Sequence, residues 1–360
     1  MVRKFNFNAG PATLPLEVLE EVQKNVVELS NTGMSVLEIS HRGSEFKEII
    51  ENTRRLFVEL MNIPKNYEIL FLQGGASLQF AMVPMNLLRS GESADYIITG
   101  TWSKKALKEA KILGKVNIAA SAEEDKFKRI PRAEEIKLSK EASYVHMTSN
   151  NTIFGTQWAN FPEVGDVPLV ADMSSDILSR KIDVSKFGLI YAGAQKNLGP
   201  AGVTVVIIRK DLAEKCPENI PSMLKYETHI KEESLYNTPN VFAIYTMKLV
   251  LEWMKRNGGA EKMEEINKRK AELIYSAIDK SDGFYRLVAE KDSRSFMNVT
   301  FRLKNEDLEQ AFIKKAAAIN LYGLKGHRSV GGVRASIYNA FPMEGAEALV
   351  EFMEKYAQEN

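Results

Sequence analysis

The sequence has almost no cysteine, and this absence excludes several classes of protein. Cys216 is the single cysteine among 360 residues, so neither an intrachain disulfide nor a metal site built from several cysteines can form. The four histidines show no HExxH pattern and no other paired ligand spacing, and we expect no metal. Because Cys216 precedes a proline at a predicted helix end, we interpret it as an ordinary structural thiol.

The sequence also has no excess of charge and no long apolar run. Its 48 lysines and arginines face 47 acidic residues, for a net charge of +1, and no basic block stands out. We therefore expect no nucleic-acid partner and no anionic membrane surface, and any anion site must be local. No stretch approaches the ~18 apolar residues of a membrane span, and the N-terminal residues contain no apolar signal segment. We expect a cytoplasmic protein.

Alternating strand and helix patterns fill most of the chain and predict an α/β fold. A chain of 360 residues exceeds the size at which a single core usually stops growing, so two domains are expected. The pattern changes after Asn257-Gly258-Gly259, where a charged amphipathic helix and an alternating strand follow. We predict a large domain with a mostly parallel sheet over residues 16–258, and a smaller α+β domain made of residues 1–15 and 259–360.

Two reactive side chains lie close to the ends of predicted strands. Asp172 follows the apolar strand at residues 167–171, and Lys196 lies in a loop of small residues between two apolar runs. Small neighbours allow a flat ligand to approach the backbone, and strand ends are where open α/β sheets bind ligands. Each residue alone also has an ordinary explanation, as a turn-forming acid or a solvated lysine.

Three further strand ends carry groups that suit a planar, phosphorylated ligand. Gly74-Gly75-Ala76-Ser77 joins a strand to a helix, which directs free backbone N–H groups at a phosphate or is a plain turn. Its pattern is neither GxGxxG nor GxxxxGK[ST]. Trp102 is interpreted as a stacking surface or as a core residue. Thr152 binds a ligand or its own turn, whereas His146 is predicted to be a core residue.

Three further cationic side chains do not lie at predicted strand ends. His41 and Arg42 lie on a loop before a predicted helix, where exposed cations meet either ligands or water. Arg334 lies inside a predicted strand, as an edge cation or as a clamp for a carboxylate. The strand-end groups together provide for a phosphate, an aromatic ring, a basic ring nitrogen and an aldehyde. This combination describes pyridoxal phosphate.

With these residues in view, the sequence resembles the phosphoserine aminotransferase family, a class V family of the fold type I pyridoxal phosphate enzymes. The resemblance covers nearly the whole chain. One departure is Ala9, where some relatives carry serine, so any substrate contact there must come from the backbone. The motifs that carry the resemblance are Phe5-Asn6-Phe7 with Gly10-Pro11-Ala12, Ser40-His41-Arg42-Gly43, Ala171-Asp172-Met173-Ser174-Ser175, Ala192-Gly193-Ala194-Gln195-Lys196-Asn197, Tyr236-Asn237-Thr238-Pro239, Lys325-Gly326-His327-Arg328 and Arg334-Ala335-Ser336-Ile337-Tyr338-Asn339.

The resemblance implies a homodimeric transaminase that interconverts 3-phosphohydroxypyruvate and L-glutamate with O-phospho-L-serine and 2-oxoglutarate in serine synthesis. It implies that Lys196 holds pyridoxal phosphate as a Schiff base and moves a proton, and that Asp172 pairs with the pyridine nitrogen. The other implied cofactor contacts are Ala76, Ser77, Trp102, Thr152 and Gln195, with Asn237 and Thr238 reaching the phosphate of the neighbouring subunit. The implied substrate contacts are Arg334 for the α-carboxylate, and His41, Arg42, His327 and Arg328 for the distal anion.

Other activities remain as alternatives at this point. Cysteine desulfuration needs a mobile nucleophilic cysteine, and the setting of Cys216 does not suit one. Transamination of serine with pyruvate would leave His41, Arg42 and Arg328 without an anion to bind. A non-enzymatic scaffold would have no need of Lys196 and Arg334 together.

Overall fold

Most of the strands form where apolar runs in the sequence predict them. The structure is a computed structural model and describes residues 3–360; Met1 and Val2, part of the predicted small domain, lie outside the described residues. In chain order the strands are β1 (Phe5–Asn6), β2 (Tyr67–Leu72), β3 (Ser93–Ile98), β4 (Lys115–Ser121), β5 (Ala142–Thr148), β6 (Asn150–Asn151), β7 (Thr156–Gln157), β8 (Leu169–Asp172), β9 (Leu189–Gly193), β10 (Thr204–Arg209), β11 (Arg286–Leu287), β12 (Asn298–Arg302), β13 (Leu321–Tyr322) and β14 (Val333–Ser336).

The helices follow the predicted apolar stripes. The stripe after Pro15 forms the first helix, and the stripe that begins near Phe46 forms the second. In chain order the helices are α1 (Leu16–Val27), α2 (Ser44–Met61), α3 (Gly75–Leu87), α4 (Thr101–Leu113), α5 (Lys210–Ala213), α6 (Tyr226–Lys231), α7 (Val241–Arg256), α8 (Gly259–Asp279), α9 (Glu306–Ala318) and α10 (Met343–Glu359).

A seven-stranded, mostly parallel sheet organises the first two thirds of the chain. Its strand order is β2-β10-β9-β8-β5-β3-β4, and only β10 runs opposite to its neighbours β2 and β9. The carboxyl ends of the six parallel strands therefore meet at one edge, together with the beginning of β10. This edge is where an open α/β sheet binds its ligand.

Helices cover both faces of the central sheet, which explains why its strands are apolar on both sides. Successive residues of a strand point to opposite faces. Ile190 accordingly packs into a core shared with α2 and α7, whereas Tyr191 packs into a second core shared with α3 and α4. His146 lies in this second region, 1% exposed, with its Nε2 hydrogen-bonded to the Tyr191 hydroxyl at 2.9 Å. The prediction that His146 is a core residue is confirmed.

A smaller antiparallel sheet, β11-β12-β14, forms a third core with α8, α9 and α10. The N-terminal segment belongs with it, because β1 pairs with β13 and Phe7 packs in the same core. Helix α8 spans two cores: Met263 packs in the first and Ile274 in the third. The exact domain boundary near residue 258 stays a prediction.

The described residues contain neither a membrane-spanning helix nor a group of metal ligands. No helix within residues 3–360 is long and apolar enough to cross a membrane. In the same part of the chain, no group of three or more His, Cys, Asp or Glu side chains is placed to hold a metal ion.

A buried lysine joins α8 to the segment that follows β14. Lys270 is fully buried, and its Nζ donates hydrogen bonds to the carbonyl oxygens of Ile337 at 3.0 Å, Tyr338 at 2.7 Å and Phe341 at 3.0 Å. The ammonium group thus has an acceptor for each of its three protons. This contact fixes the turn after the strand that carries Arg334.

We expect Lys270→Met to destabilise the protein by about 3 kcal/mol, because it fills the space but leaves buried carbonyl groups without donors. The free energy of unfolding, measured by urea titration followed by circular dichroism, checks this. Lys262→Met, on an exposed turn of the same helix, is the matched control and should change stability by less than about 0.5 kcal/mol. Equal stability of the two variants would contradict the assigned role of Lys270.

Candidate active site

A cavity of about 490 Å³ lies at the carboxyl edge of the central sheet. Its wall is built from the turns that follow β2, β3, β5, β8 and β9, and from the loop before β10. The N-terminal segment contributes Ala9 and Gly10, and the small domain contributes His327 and Arg334. The cavity therefore lies where elements of both predicted domains meet.

Nine of the fourteen site residues predicted from the sequence line this one cavity, although they come from seven separate stretches of chain. Such convergence is expected if the strand-end residues share one ligand, and not if each is an ordinary turn or core residue. The nine are Ala76, Ser77, Trp102, Thr152, Asp172, Gln195, Lys196, His327 and Arg334.

Lys196 follows β9 and projects into the cavity beside the indole of Trp102. Its Nζ lies 5.9 Å from the centroid of that ring. Burial lowers the pKa of Lys196; the charge of Asp172 opposes this shift, and the charge of Arg334 adds to it. More of the amine is therefore neutral than in a free lysine, as a nucleophile requires.

Asp172 ends β8, the strand next to the lysine strand. The carboxylate is 5% exposed, and its Oδ1 accepts a hydrogen bond from the backbone N–H of Ser174 at 2.9 Å. Burial raises the pKa of Asp172, while the hydrogen bonds of Ser174 and the charge of Lys196 act to lower it. No lysine or arginine among residues 3–360 approaches Asp172 to ion-pair distance. A buried carboxylate of this kind suits a cationic ring nitrogen.

Trp102 and Thr152 connect the aromatic wall of the cavity to the small domain. Trp102 lies in the first turn of α4, and its indole Nε1 donates to Thr152 Oγ1 at 3.2 Å. Arg334 Nη1 in turn donates to the Thr152 carbonyl oxygen at 3.1 Å. Thr152 therefore holds both the ring and the guanidinium group in place.

The start of α3 offers a site for a phosphate group. Gly74 and Gly75 have φ angles of +89° and +63°, and a Cβ added at Gly75 would meet nothing within 4 Å. Backbone N–H groups in the first turn of a helix have no intrahelical acceptor, and the helix dipole favours an anion there. Since Ala76 and Ser77 line the cavity, the phosphate cup predicted from the sequence opens into it.

Five predicted site residues lie outside the cavity of their own chain. They are His41, Arg42, Asn237, Thr238 and Arg328. Arg42 and Arg328 are exposed, and Asn237 lines a separate cavity of about 40 Å³. The Thr238 carbonyl oxygen accepts a hydrogen bond from Gln73 at 3.0 Å. The roles assigned to these residues stay predictions.

Ser174 is a site residue to which the sequence analysis gave no role. Its side chain lines the cavity, and its Oγ accepts a hydrogen bond from the backbone N–H of Gly193 at 3.1 Å. Ser174 therefore ties the turn after Asp172 to the end of the lysine strand. A serine two residues after a strand-ending aspartate is a turn signature, and this signal was present in the sequence.

Cys216 lies away from the cavity. Its Sγ donates to Asn86 Oδ1 at 2.8 Å, and burial raises the pKa of the thiol to about 11. An activated cysteine has a lowered pKa and an electropositive setting. Cys216 therefore has the structural character predicted from the sequence.

The residues of the cavity fit pyridoxal phosphate. Lys196 provides an amine for its aldehyde, Asp172 a counter-charge for its ring nitrogen, Trp102 a flat surface for its ring, and the start of α3 a cup for its phosphate. A buried carboxylate without a cationic partner among the described residues is a feature that the folded chain alone does not require.

Comparisons with known proteins agree with this geometry. Residues 4–349 match the family Aminotransferase class-V. A phosphoserine aminotransferase of Bacillus subtilis (strain 168) is 56% identical over 360 residues, which cover 100% of both chains. One from Geobacillus kaustophilus (strain HTA426) is 57% identical over 356 residues, covering 99% of each chain.

Solved structures give the same result. The phosphoserine aminotransferase of Bacillus circulans subsp. alkalophilus superposes with a TM-score of 0.98 at 54% identity, covering 99% of each chain. A pyridoxal phosphate-bound phosphoserine aminotransferase from Trichomonas vaginalis has a TM-score of 0.92 at 40% identity, covering 98% of this chain and 100% of its own. The chain therefore belongs to the class V aminotransferases, pyridoxal phosphate-dependent transaminases of fold type I, and within them to the phosphoserine aminotransferase family.

Proposed function

We propose that this chain transfers an amino group between O-phospho-L-serine with 2-oxoglutarate and 3-phosphohydroxypyruvate with L-glutamate, as a step of serine biosynthesis. The observation that carries the proposal is the meeting of Lys196 and Asp172 with Arg334 and His327 in one cavity. The first two residues suit the cofactor. The last two suit an amino acid that carries anions at both ends.

The chemistry of the reaction is divided between the cofactor and the chain. When bound, pyridoxal phosphate supplies an aldehyde that condenses with amines and a protonated ring that accepts electrons from the substrate α-carbon. Asp172 would keep the proton on the ring nitrogen, because its buried carboxylate would be stabilised by that charge. Lys196 would hold the cofactor covalently, and its amine, whose pKa burial lowers, would move the proton at the substrate α-carbon.

The chain orients the cofactor through three further contacts. Backbone N–H groups at the start of α3, the Ser77 hydroxyl and Gln195 would hold the phosphate. Trp102, held by its hydrogen bond to Thr152, would offer its indole to the ring.

Substrate recognition comes from the small-domain side. Arg334 would bind the substrate α-carboxylate with its guanidinium fork. Its hydrogen bond to the Thr152 carbonyl uses Nη1, and its other N–H groups make no hydrogen bond to the described residues. His327 lines the same cavity as Arg334, and Arg328 is next to it on the same loop, so this loop would meet the far end of the substrate. Phosphoserine and glutamate both carry an anion at the far end, so one cationic pocket serves both half-reactions.

A homodimer accounts for four of the five site residues that lie outside the cavity. His41 and Arg42, like Asn237 and Thr238, do not reach the cavity of their own chain. In a two-fold symmetric dimer the same residues are presented to the partner, and each chain completes the other's site. The cytoplasmic location expected from the sequence stays a prediction.

We expect Lys196→Ala to abolish covalent attachment of the cofactor, since no other amine takes its place. Holoenzyme is treated with borohydride, and the retained cofactor mass is read by intact mass spectrometry. Lys105→Ala is the matched control, because Lys105 Nζ also lies near the Trp102 ring, at 4.7 Å, and this variant should retain the adduct. An unchanged adduct in Lys196→Ala would rule out the assignment.

A substrate panel tests the distal-anion argument. We expect kcat/KM for phosphoserine and for L-glutamate to exceed the values for L-serine and L-alanine by about 10³ or more, because polar groups built for an anion are left unpaired by neutral substrates. Steady-state kinetics with a common keto acid measure the ratio. If L-alanine or L-serine were the best donor, transamination of serine with pyruvate would become the better interpretation.

Subunit complementation tests whether Arg42 acts in the partner's site. Arg42→Ala should raise the KM for phosphoserine and L-glutamate together by about tenfold, and Lys196→Ala should be inactive. When the two variants are co-expressed equally, half of the dimers are mixed and each has one intact site, so about one quarter of wild-type activity should return at low substrate concentration. Activity no higher than the average of the separate variants would contradict a shared site.

A further inference from the structure

The loop between β13 and β14 carries both His327 and Arg328, and we call residues 326–332 the His327 loop. It is closed on itself: Gly326 N–H donates to the Gly332 carbonyl at 2.9 Å, and the N–H groups of Val330 and Gly331 donate to the His327 carbonyl at 2.9 and 2.8 Å. Val330 is the one apolar side chain among its seven residues; the others are glycine or polar. Its placement therefore depends on specific polar contacts.

One ion pair lies directly beneath this loop. Arg302 ends β12, and Glu309 lies in the first turns of α9. Arg302 Nε donates a hydrogen bond to Glu309 Oε1 at 2.6 Å, and Arg302 Nη2 donates one to Oε2 at 3.3 Å. Glu309 is 3% exposed, which is unusual for a glutamate. Its hydrogen bonds to Arg302 raise the pKa of the guanidinium group.

Both partners of this ion pair also bind the His327 loop. Arg302 Nη1 donates to the Val330 carbonyl at 2.9 Å, and the Gly332 N–H donates to Glu309 Oε2 at 3.2 Å. The Leu303 N–H adds a bond to Oε1 at 3.2 Å. The buried carboxylate thus accepts four N–H groups, and one of them comes from the end of the loop.

The loop backbone packs closely on Arg302 and on itself, with room only for glycine at two positions. A Cβ added at Gly332 would lie 2.5 Å from Arg302 Cδ and 2.5 Å from the Phe301 carbonyl oxygen. A Cβ added at Gly326 would lie 2.0 Å from the Gly331 carbonyl oxygen. With φ angles of +74° at Gly331 and +69° at Gly332, the loop has a backbone that only glycine adopts readily.

We infer that Arg302 and Glu309 are positioning residues for substrate recognition, which fix the His327 loop so that His327 and Arg328 meet the distal anion in a prearranged geometry. The pair lies outside the cavity and touches neither cofactor nor substrate. The pair also fixes the start of β14, because Glu309 binds the N–H of Gly332. Gly332 lies two residues before Arg334, which would bind the α-carboxylate. The inference rests on the proposed function of the His327 loop.

Two variants of the holoenzyme test this inference. Glu309→Gln keeps the shape of the side chain, but one of its two acceptor oxygens becomes an amide nitrogen. We expect KM for phosphoserine and for L-glutamate to rise about tenfold, because the loop residues are misplaced, while kcat changes by less than about threefold. Competitive inhibition by inorganic phosphate should weaken in parallel. The absorption spectrum of the bound cofactor should not change, since neither partner lines its cavity.

The double variant Arg302→Met/Glu309→Met separates positioning from stability. Replacing both partners of a buried ion pair with apolar residues is often neutral for folding, so its thermal midpoint should stay near that of the wild type. The loop contacts are nevertheless lost, and KM should remain raised. Asp279→Asn is the matched control: it breaks the bidentate pair with Arg294, at 2.8 and 3.0 Å, which does not touch the loop, and should leave KM unchanged.

The outcomes separate this inference from the proposed function. Wild-type enzyme that does not use phosphoserine would overturn the proposed function itself. If the wild type uses phosphoserine but either the Glu309→Gln or the double variant has the wild-type KM, the positioning role alone is wrong. A change of KM in the Asp279→Asn control equal to that in Glu309→Gln would also overturn it.

Discussion

The arrangement of the site depends on a buried carboxylate that the chain leaves without a cationic partner. Asp172 is 5% exposed and forms no ion pair with the described residues, so its negative charge is costly unless a ligand brings a positive one. Burial lowers the pKa of Lys196, so it is a poorer source of that charge than a free lysine. We propose that the protonated ring of the cofactor is the cationic partner of Asp172. Their adjacent strands, β8 and β9, hold both groups at the same sheet edge.

The second constraint is that the site is completed by the small domain. Thr152, on the large-domain side, binds Trp102 through its hydroxyl and Arg334 through its carbonyl. On the other side the Tyr338 hydroxyl donates to the Ala9 carbonyl at 2.7 Å, which ties the N-terminal segment to the turn after β14. Hydrogen bonds therefore tie both sides of the cavity to the segments around β14. The substrate contact expected from the Ala9 backbone stays a prediction.

Sequence reasoning located the cofactor side of the site well, and the reason is geometric. Parallel strands bring their carboxyl ends to one edge, so Trp102, Thr152, Asp172 and Lys196 can be grouped from strand endings alone. Other features could not be predicted in this way. The reversed direction of β10 depends on pairing, and the edge strand β4 has no continuous apolar run, because Lys115 and Asn117 interrupt it.

The small-domain contribution was harder to derive from residues alone. Arg334 in an isolated strand resembles an ordinary edge cation, and its function was assigned only through the family resemblance. Glu309 gave no signal, because an acid in the first turns of a helix is usually a solvated partner of the helix dipole. Its burial against Arg302 arises from tertiary packing. The proposed roles of His41 and Arg42 lie in the cavity of a partner subunit, which a single chain does not show.

The most direct measurement of the central claim is the kinetics of Asp172→Asn in parallel with its covalent cofactor content. The amide keeps the shape of the side chain but removes the charge that would stabilise the protonated ring. We predict that the variant still holds cofactor on Lys196, that KM for phosphoserine changes little, and that kcat falls by about 10² to 10³. A variant that retains kcat within a few-fold of the wild type would contradict the role of this carboxylate and, with it, the account of the site.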